Sequence, residues 1–333
     1  TSRKDMEYVD NNLQPISEEL RRCFLSLKSF LSEQDKAGRL LFLFRGEEQR
    51  NIRRRLSSGG LGIDTNEVFE RAFYFGDKAR HFSVDTFDAE RNFLTGINDC
   101  CDETLSFIYR RIGESLEDPR ILRQVNQNTS REFRDFFLNQ HNHHEFLQKI
   151  NQAYTSETRL KARDYFLYYL HVAGSAGLRK ETMFVSTTTD RRIARGFSKV
   201  GNRNSSRVMF HYFIPQPFHV HAIAPWVADH HQRIVNALQL PTYKSTGLFP
   251  KQREVSVKGA LFPHFILGIE LVDERKFIIN SNFNMYGNRE NFESISRQGF
   301  FIDQSDFHNR IFDTGYIRWG QTDLAGNFES NDV

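Results

Sequence analysis

Arg45 closes the apolar run Leu40-Leu41-Phe42-Leu43-Phe44 and is followed by Gly46. A planar, always-charged guanidinium there can hold a phosphate through two parallel hydrogen bonds; the plainer alternative is a surface arginine at a strand end. In Phe184-Val185-Ser186-Thr187-Thr188-Thr189-Asp190, four hydroxyl residues leave an apolar pair. They can cap the next helix through Thr189 or Asp190, or the Ser186 hydroxyl can hold a nearby arginine or a ribose. A third stretch, Phe249-Pro250-Lys251-Gln252-Arg253-Glu254-Val255-Ser256-Val257, spaces Gln252 and Glu254 two apart. In a strand they share one face, and Val255 and Val257 point the other way. That is either a solvated strand face or a carboxylate and an amide placed to stabilise positive charge on a sugar and orient a nucleophile.

Two other clusters carry less. His141, His144 and Glu145 fall at i, i+3 and i+4, a possible ligand spacing on a helix. With no cysteine partners and no His-Glu-x-x-His pattern they read as solvated helix histidines, and no metal is expected. Cys23, Cys100 and Cys101 are too few for a disulfide framework and read as structural, reduced thiols of a cytosolic protein.

Helical periodicity runs from Pro15 to about Lys36, with Ser17, Glu18 and Glu19 as a start signal and Gly38 as a stop. Leu40–Arg45 is too short for a helix and suits a buried strand. Helical periods then dominate from about Asp64 to Gly177, over Ala89–Leu116, Ser130–Ile150 and Ser156–Val172. After Gly177 the spacing predicts strands at Met183–Thr188, Arg207–Ile214, His219–Ala224, Arg253–Lys258, Phe265–Leu271 and Lys276–Asn280. A short basic helix fits Asp190–Phe197, Phe300–Trp319 is ambiguous, and Gln321–Val333 reads as a frayed tail. The class is α+β. Leu40–Arg45 needs a sheet, and the other strands lie in the second half, so one domain (1–333) with a large helical insertion is expected. Its parts are an N-terminal helix (1–38), a first strand (39–46), a helical region (64–177), a sheet core (178–281) and a C-terminal extension (282–333).

The 333 residues are 39% hydrophobic and 26% charged, which excludes a disordered or fibrous chain. No apolar run approaches the roughly 20 residues that span a bilayer, and the first residues lack a signal peptide's apolar stretch. No membrane role and a cytoplasmic location, in the producing cell or in a target cell after delivery, are expected. The 45 Lys+Arg and 42 Asp+Glu leave a net charge of only +3, but it is uneven. Six arginines against two glutamates between Arg39 and Arg55, and six basic residues against Asp190 between Ser186 and Arg207, flank the first two motifs. Such runs suit a phosphate-bearing ligand and can attract a nucleic acid. The isoelectric point of about 8.7 lies below the value of roughly 9 that argues for nucleic acid. The 32 phenylalanines divide between helix packing, as at Phe133, Phe136, Phe137 and Phe166, and the motifs themselves, at Phe44, Phe184, Phe197 and Phe249.

Taken in order, the three motifs resemble the Arg–Ser–Glu class of ADP-ribosyltransferases, in its toxin-like, Gln-x-Glu variant. That class includes the Rho-modifying clostridial exoenzymes, cholera-like and iota-like toxins and many bacterial effectors. The resemblance rests on Phe44-Arg45-Gly46, on Phe184–Thr188 followed by Ala194-Arg195-Gly196-Phe197, and on Lys244–Phe249 leading to Gln252-Arg253-Glu254. Thr188 stands where the family more often has serine. The helical region from about Asp64 to Gly177 has no counterpart in it. The resemblance implies a split antiparallel β-sandwich of the ADP-ribosyltransferase type, with a large helical N-terminal or inserted region. It implies NAD+ as co-substrate and no metal. Arg45 would hold the pyrophosphate or the adjacent ribose, and the Gly46 backbone would pair with the nicotinamide amide. Ser186 would fix Arg45 and the ribose, with Thr187 and Thr188 beside it. Phe197 would contact nicotinamide, and Arg195, Arg191 or Arg192 the phosphates. Glu254 would accept a hydrogen bond from the ribose 2′-hydroxyl and stabilise the oxocarbenium ion as nicotinamide leaves. Gln252 replaces the glutamate usual in members that modify arginine, and Phe249 matches the aromatic with which the Rho-modifying exoenzymes dock their target. Both point to a non-arginine protein side chain as acceptor, with RNA or DNA bases as the alternative. A toxin or effector of this kind is expected to have an antitoxin or immunity partner. The same fold can also serve a catalytically silent interaction module or a plain NAD glycohydrolase.

Overall fold

The computed structural model describes residues 6–10, 13–48, 74–75, 100–120, 126–173, 184–198, 207–216, 218–244, 250–258, 260–261 and 265–280. Expectations for Phe249, for Phe300–Trp319 and the tail, and for the first part of Ala89–Leu116 fall outside these residues. In chain order the elements are β1 (Glu7–Val9), α1 (Glu18–Lys36), β2 (Leu40–Glu48), β3 (Tyr74–Phe75), α2 (Asp102–Glu117), α3 (Arg131–Leu138), α4 (Asn142–Asn151), α5 (Ser156–Ala173) and β4 (Phe184–Thr188). Then follow α6 (Arg191–Phe197), β5 (Arg207–Pro215), α7 (Phe218–His221), β6 (Ala222–Ile223), α8 (Pro225–Ala237), β7 (Glu254–Lys258), β8 (Ala260–Leu261), β9 (Ile266–Leu271) and β10 (Lys276–Ile279). The protein is α+β with mostly antiparallel pairing. It forms two compact units from interleaved stretches: unit 1 from Thr1–Tyr74, Ser186–Val220 and Leu261–Val333, and unit 2 from Phe75–Val185 and His221–Ala260.

Unit 1 is built on strands in the order β1-β10-β9-β5-β2-β4, antiparallel throughout except for the parallel pair β1–β10. Registers Phe44↔His211↔Gly268 and Gly46↔Met209↔Glu270↔Phe277 put Phe44, His211, Glu270 and Phe277 on one sheet face. Helix α1 starts where expected: the Ser17 hydroxyl accepts from the Leu20 amide at 3.2 Å. It buries Phe24, Leu27, Phe30 and Leu31. Phe24 packs with Phe277 and Ile279, and Met6, Tyr8 and Ile16 close the cluster. Each fully buried ring or aliphatic chain stabilises the fold by about 1.5–3 kcal/mol. Gly268 is required here, because a Cβ would strike the Phe277 ring and the Ile278 carbonyl.

Unit 2 packs α2, α3, α4, α5 and α8 around aromatic rings, with the short antiparallel pair β6–β7. Phe133, Phe146 and Phe166 are fully buried and Phe137 nearly so; Phe136 is half-buried. Tyr165 and Tyr243 stack at 4.3 Å, and each hydroxyl donates to the other's carbonyl oxygen at 2.7 Å. The single helix expected over Ser130–Ile150 is two. The Tyr109 hydroxyl lies 2.7 Å from the carbonyl oxygens of both Phe136 and Asn139, and the chain turns at Asn139–His141 before α4 begins. The strand expected over His219–Ala224 is the helical turn α7 followed by the two-residue β6, and α8 starts at Pro225, where the spacing predicts no helix. Among the described residues no helix is long and apolar enough to cross a membrane.

Candidate functional site

Unit 1 holds Arg45 and Ser186 on adjacent strands. Arg45 Nη1 donates to the Ser186 carbonyl oxygen at 2.7 Å. Its Nε and Nη2 both donate to Glu47 Oε1, at 3.1 and 2.6 Å. Glu47 is buried, two residues along the strand and therefore on the same face. The guanidinium is thus oriented and already neutralised by an internal carboxylate. Gly46 has a packing reason of its own: a Cβ would run into the Ala194 carbonyl oxygen and lie 2.5 Å from Ser198 Oγ. The last turn of α6 can lie against β2 only because that side chain is absent.

The hydroxyl run serves largely as a helix start. Thr187 and Thr188 are buried. The Thr188 hydroxyl accepts from the Asp190 amide at 3.1 Å, and Asp190 caps α6 by accepting from the Arg192 amide at 2.8 Å. Asp190, not Thr189, is the N-cap. Phe197 ends α6 and is 53% exposed, available to a ligand and uninvolved in the core. The basic run is partly spent within the unit: Arg191 pairs with Glu270, and Arg207 grips Asp273. Arg195 lines a cavity with Phe44 and Arg191, on the sheet face away from Arg45.

Unit 2 holds Gln252 and Glu254, and their shared strand face does not exist. Gln252 belongs to the 3-10 turn Pro250–Gln252, Arg253 takes a left-handed φ of +46°, and β7 begins only at Glu254. Proline at the head of the stretch favours a turn over an extended start, which alternation of residue types alone does not register. Glu254 itself is buried, and its Oε1 lies 3.2 Å from His171 Nε2 and 3.3 Å from the Ser256 hydroxyl. Along β7 the same face continues to Lys258, which pairs with Asp164. Asp164 also accepts from Arg163 Nε and Nη2 at 3.0 and 2.7 Å. A helical stripe, Asp164–Tyr168–His171, therefore meets a strand stripe, Lys258–Ser256–Glu254. Burial alone would raise the Asp164 pKa, but Arg163 and Lys258 outweigh it and hold the carboxyl below its usual range. Burial, then the charge of Glu254, pushes the Tyr168 phenol well up, so it stays protonated.

Glu47, His171, Tyr168 and the Arg163–Asp164–Lys258 group were not singled out from sequence. Glu47 could have been found, since Arg-x-Glu in a strand places both side chains on one face; the others are fixed by long-range packing. The Phe184 ring contacts His171 edge-on at 5.6 Å. Burial raises the Cys100 thiol to about 11, in keeping with a structural cysteine. Among the described residues no group of His, Cys, Asp or Glu is arranged to hold a metal ion. Nearby, His143 hydrogen-bonds the Ser106 hydroxyl at 3.0 Å and packs on Tyr109. Compared with known proteins, the chain matches no protein-family model, no curated protein and no solved structure.

Proposed function

We propose that the protein is a mono-ADP-ribosyltransferase of the Arg–Ser–Glu class, with the split sandwich of that family. It would transfer ADP-ribose from NAD+ to a non-arginine side chain of a protein. The observation that carries this reading is the Arg45–Ser186 contact: a guanidinium oriented on β2 against the serine motif of β4. NAD+ supplies a glycosidic bond whose cleavage leaves positive charge on the ribose. Arg45 would hold its phosphates, and Phe197 would cover the nicotinamide. The Glu254 carboxylate, oriented by His171 and Ser256 in a water-poor setting, is suited to accept a ribose hydroxyl and to lower the cost of that charge. Gln252, in its turn beside the left-handed Arg253, would present the acceptor, with Phe249 ahead of it. A role as toxin or effector in a cytoplasm, restrained by an antitoxin or immunity partner, belongs to the same proposal.

A second reading, the silent interaction module, is favoured by one specific observation: Glu47 already neutralises Arg45. One experiment separates the readings. Purified protein is given labelled NAD+ with lysate protein or with RNA, and nicotinamide release and label transfer are followed, with Glu254→Ala as control. Transfer to protease-sensitive material, lost in the variant, supports the proposal. Nuclease-sensitive label moves the acceptor to nucleic acid, and release without transfer makes the protein a glycohydrolase. Silence in every arm, or labelling unchanged in the variant, sinks the enzyme assignment.

A further inference from the structure

Strand alternation turns Phe44 away from Arg45, and on the Phe44 face of the unit 1 sheet lies a cavity of about 570 Å³. Its apolar surface comes from Tyr8, Phe42, Phe44 and Leu267. Its charged groups come from separate segments: Lys28 from α1, Arg191 and Arg195 from α6, and Asp273 and Arg275 from the β9–β10 turn. Glu270 completes the set, so four cations line the space against two carboxylates.

Both carboxylates are engaged by arginine. Glu270 is buried; Oε2 receives Arg191 Nε at 3.2 Å and His211 Nε2 at 2.7 Å, and Oε1 pairs with Arg191 Nη2. Asp273 is gripped by Arg207, which stands outside the cavity lining. His211, also buried, is pushed down to about 4 by burial, and Glu270 sits at about 2 because its two partners outweigh its own burial. The imidazole is therefore neutral and donates to the carboxylate, adding no charge of its own. The cavity keeps an excess of positive charge beside aromatic surface. Cations brought together from three segments repel one another, and a multiply charged anion relieves that better than a monocarboxylate. The volume lies within the 300–1,000 Å³ usual for small-ligand sites.

We infer that this cavity binds a small aromatic ligand that carries phosphate, such as a nucleoside diphosphate. Its phosphates meet Lys28, Arg195 and Arg275, and its ring lies among Tyr8, Phe42 and Phe44. The site uses neither Arg45 nor Glu254, so it stands or falls apart from the transferase reading.

The test is calorimetric titration of the full chain with ADP, adenosine and inorganic phosphate. ADP is expected to bind saturably, with adenosine and phosphate each at least ten-fold weaker. Lys28→Ala and Arg275→Gly should each weaken ADP about ten-fold, and Arg131→Gln, an exposed arginine outside the cavity lining, should leave it within two-fold. Arg275 has a φ of +56°, so glycine removes the charge without backbone strain and guards against a folding artefact. Absence of saturable ADP binding overturns the proposal. So does phosphate binding as tightly as ADP, or an equal loss in Arg131→Gln. Nicotinamide release from NAD+ is measured separately, and its absence leaves this result standing.

Discussion

Glu47 Oε1 accepts two hydrogen bonds from the Arg45 guanidinium, at 3.1 and 2.6 Å, from two residues along the same strand. The arrangement holds Arg45 flat and oriented, at the cost of part of the positive field a phosphate would feel. Arg45 keeps 20% of its side-chain surface exposed, whereas Glu47 keeps 9%. A ligand would therefore meet the arginine first.

Glu47→Gln keeps a hydrogen-bond acceptor and removes the opposing charge. NAD+ affinity should rise about five- to ten-fold, the effect of roughly 1–1.4 kcal/mol of relieved electrostatic opposition. Equilibrium titration of NAD+ against both proteins checks it; equal or weaker binding in the variant counts against Arg45 as the phosphate holder.

Glu254→Gln retains the shape and a hydrogen-bonding side chain but loses the carboxylate charge. Nicotinamide release should fall by about 10²–10³-fold, the usual consequence of deleting one preorganised electrostatic group. The melting temperature should hardly move. A variant with full turnover would remove Glu254 from the chemistry.

Lys258→Met strands Asp164 with Arg163 alone in a fully buried site. Removing one partner of a buried ion set costs about 3–5 kcal/mol, and urea unfolding should show a loss of that size. A variant as stable to urea as the parent would contradict the pairing.

His211 and Glu270 give the pH dependence a definite sign. His211 has a folded pKa of about 4, below its ordinary 6.5, so its contribution is complete above pH 6.5 and is lost as pH falls from there towards 4. Glu270 has a folded pKa of about 2, below 4.5, so its contribution is lost as pH falls between those values. Both act in the same direction. Unfolding free energy should fall from about pH 6.5 downward, and His211→Gln should flatten the upper part of that slope; a stability independent of pH between 7 and 4 would contradict the buried neutral imidazole.

Gly46→Ala places a methyl group against the Ala194 carbonyl and displaces α6 from β2. Overpacking of this kind costs about 1–3 kcal/mol, measurable by thermal or urea unfolding. An unchanged stability would mean that α6 shifts freely.

Much of the fold was readable because it rests on local patterns. The Ser17 cap, the stop at Gly38, the apolar strand from Leu40, the Asp190 cap and strands β5, β9 and β10 each carry a short-range signal. The split at Asn139 was not readable, because the Tyr109 hydroxyl that reaches its carbonyl comes from another helix. Gln252 and Glu254 depart from strand alternation because from Pro250 to Arg253 the backbone is a turn that ends in a left-handed residue. The neighbours of Glu254 were hidden for a different reason. His171 and Asp164 sit on a helix whose sequence advertises its aromatics, and what they face is set by tertiary packing.

The stripe that joins α5 to β7 also fixes an order of events at the ribosome. His171 waits 83 residues for Glu254, and Tyr165 waits 78 for Tyr243. At about 5–20 residues per second, α5 emerges several seconds before the strand and loop that complete its buried polar groups. Through that interval Asp164 lacks Lys258, and the aromatic flank of the helix is uncovered. A nascent chain halted before β7 would therefore be a substrate for chaperones and proteases, and fragments cut between α5 and β7 should regain structure only when mixed.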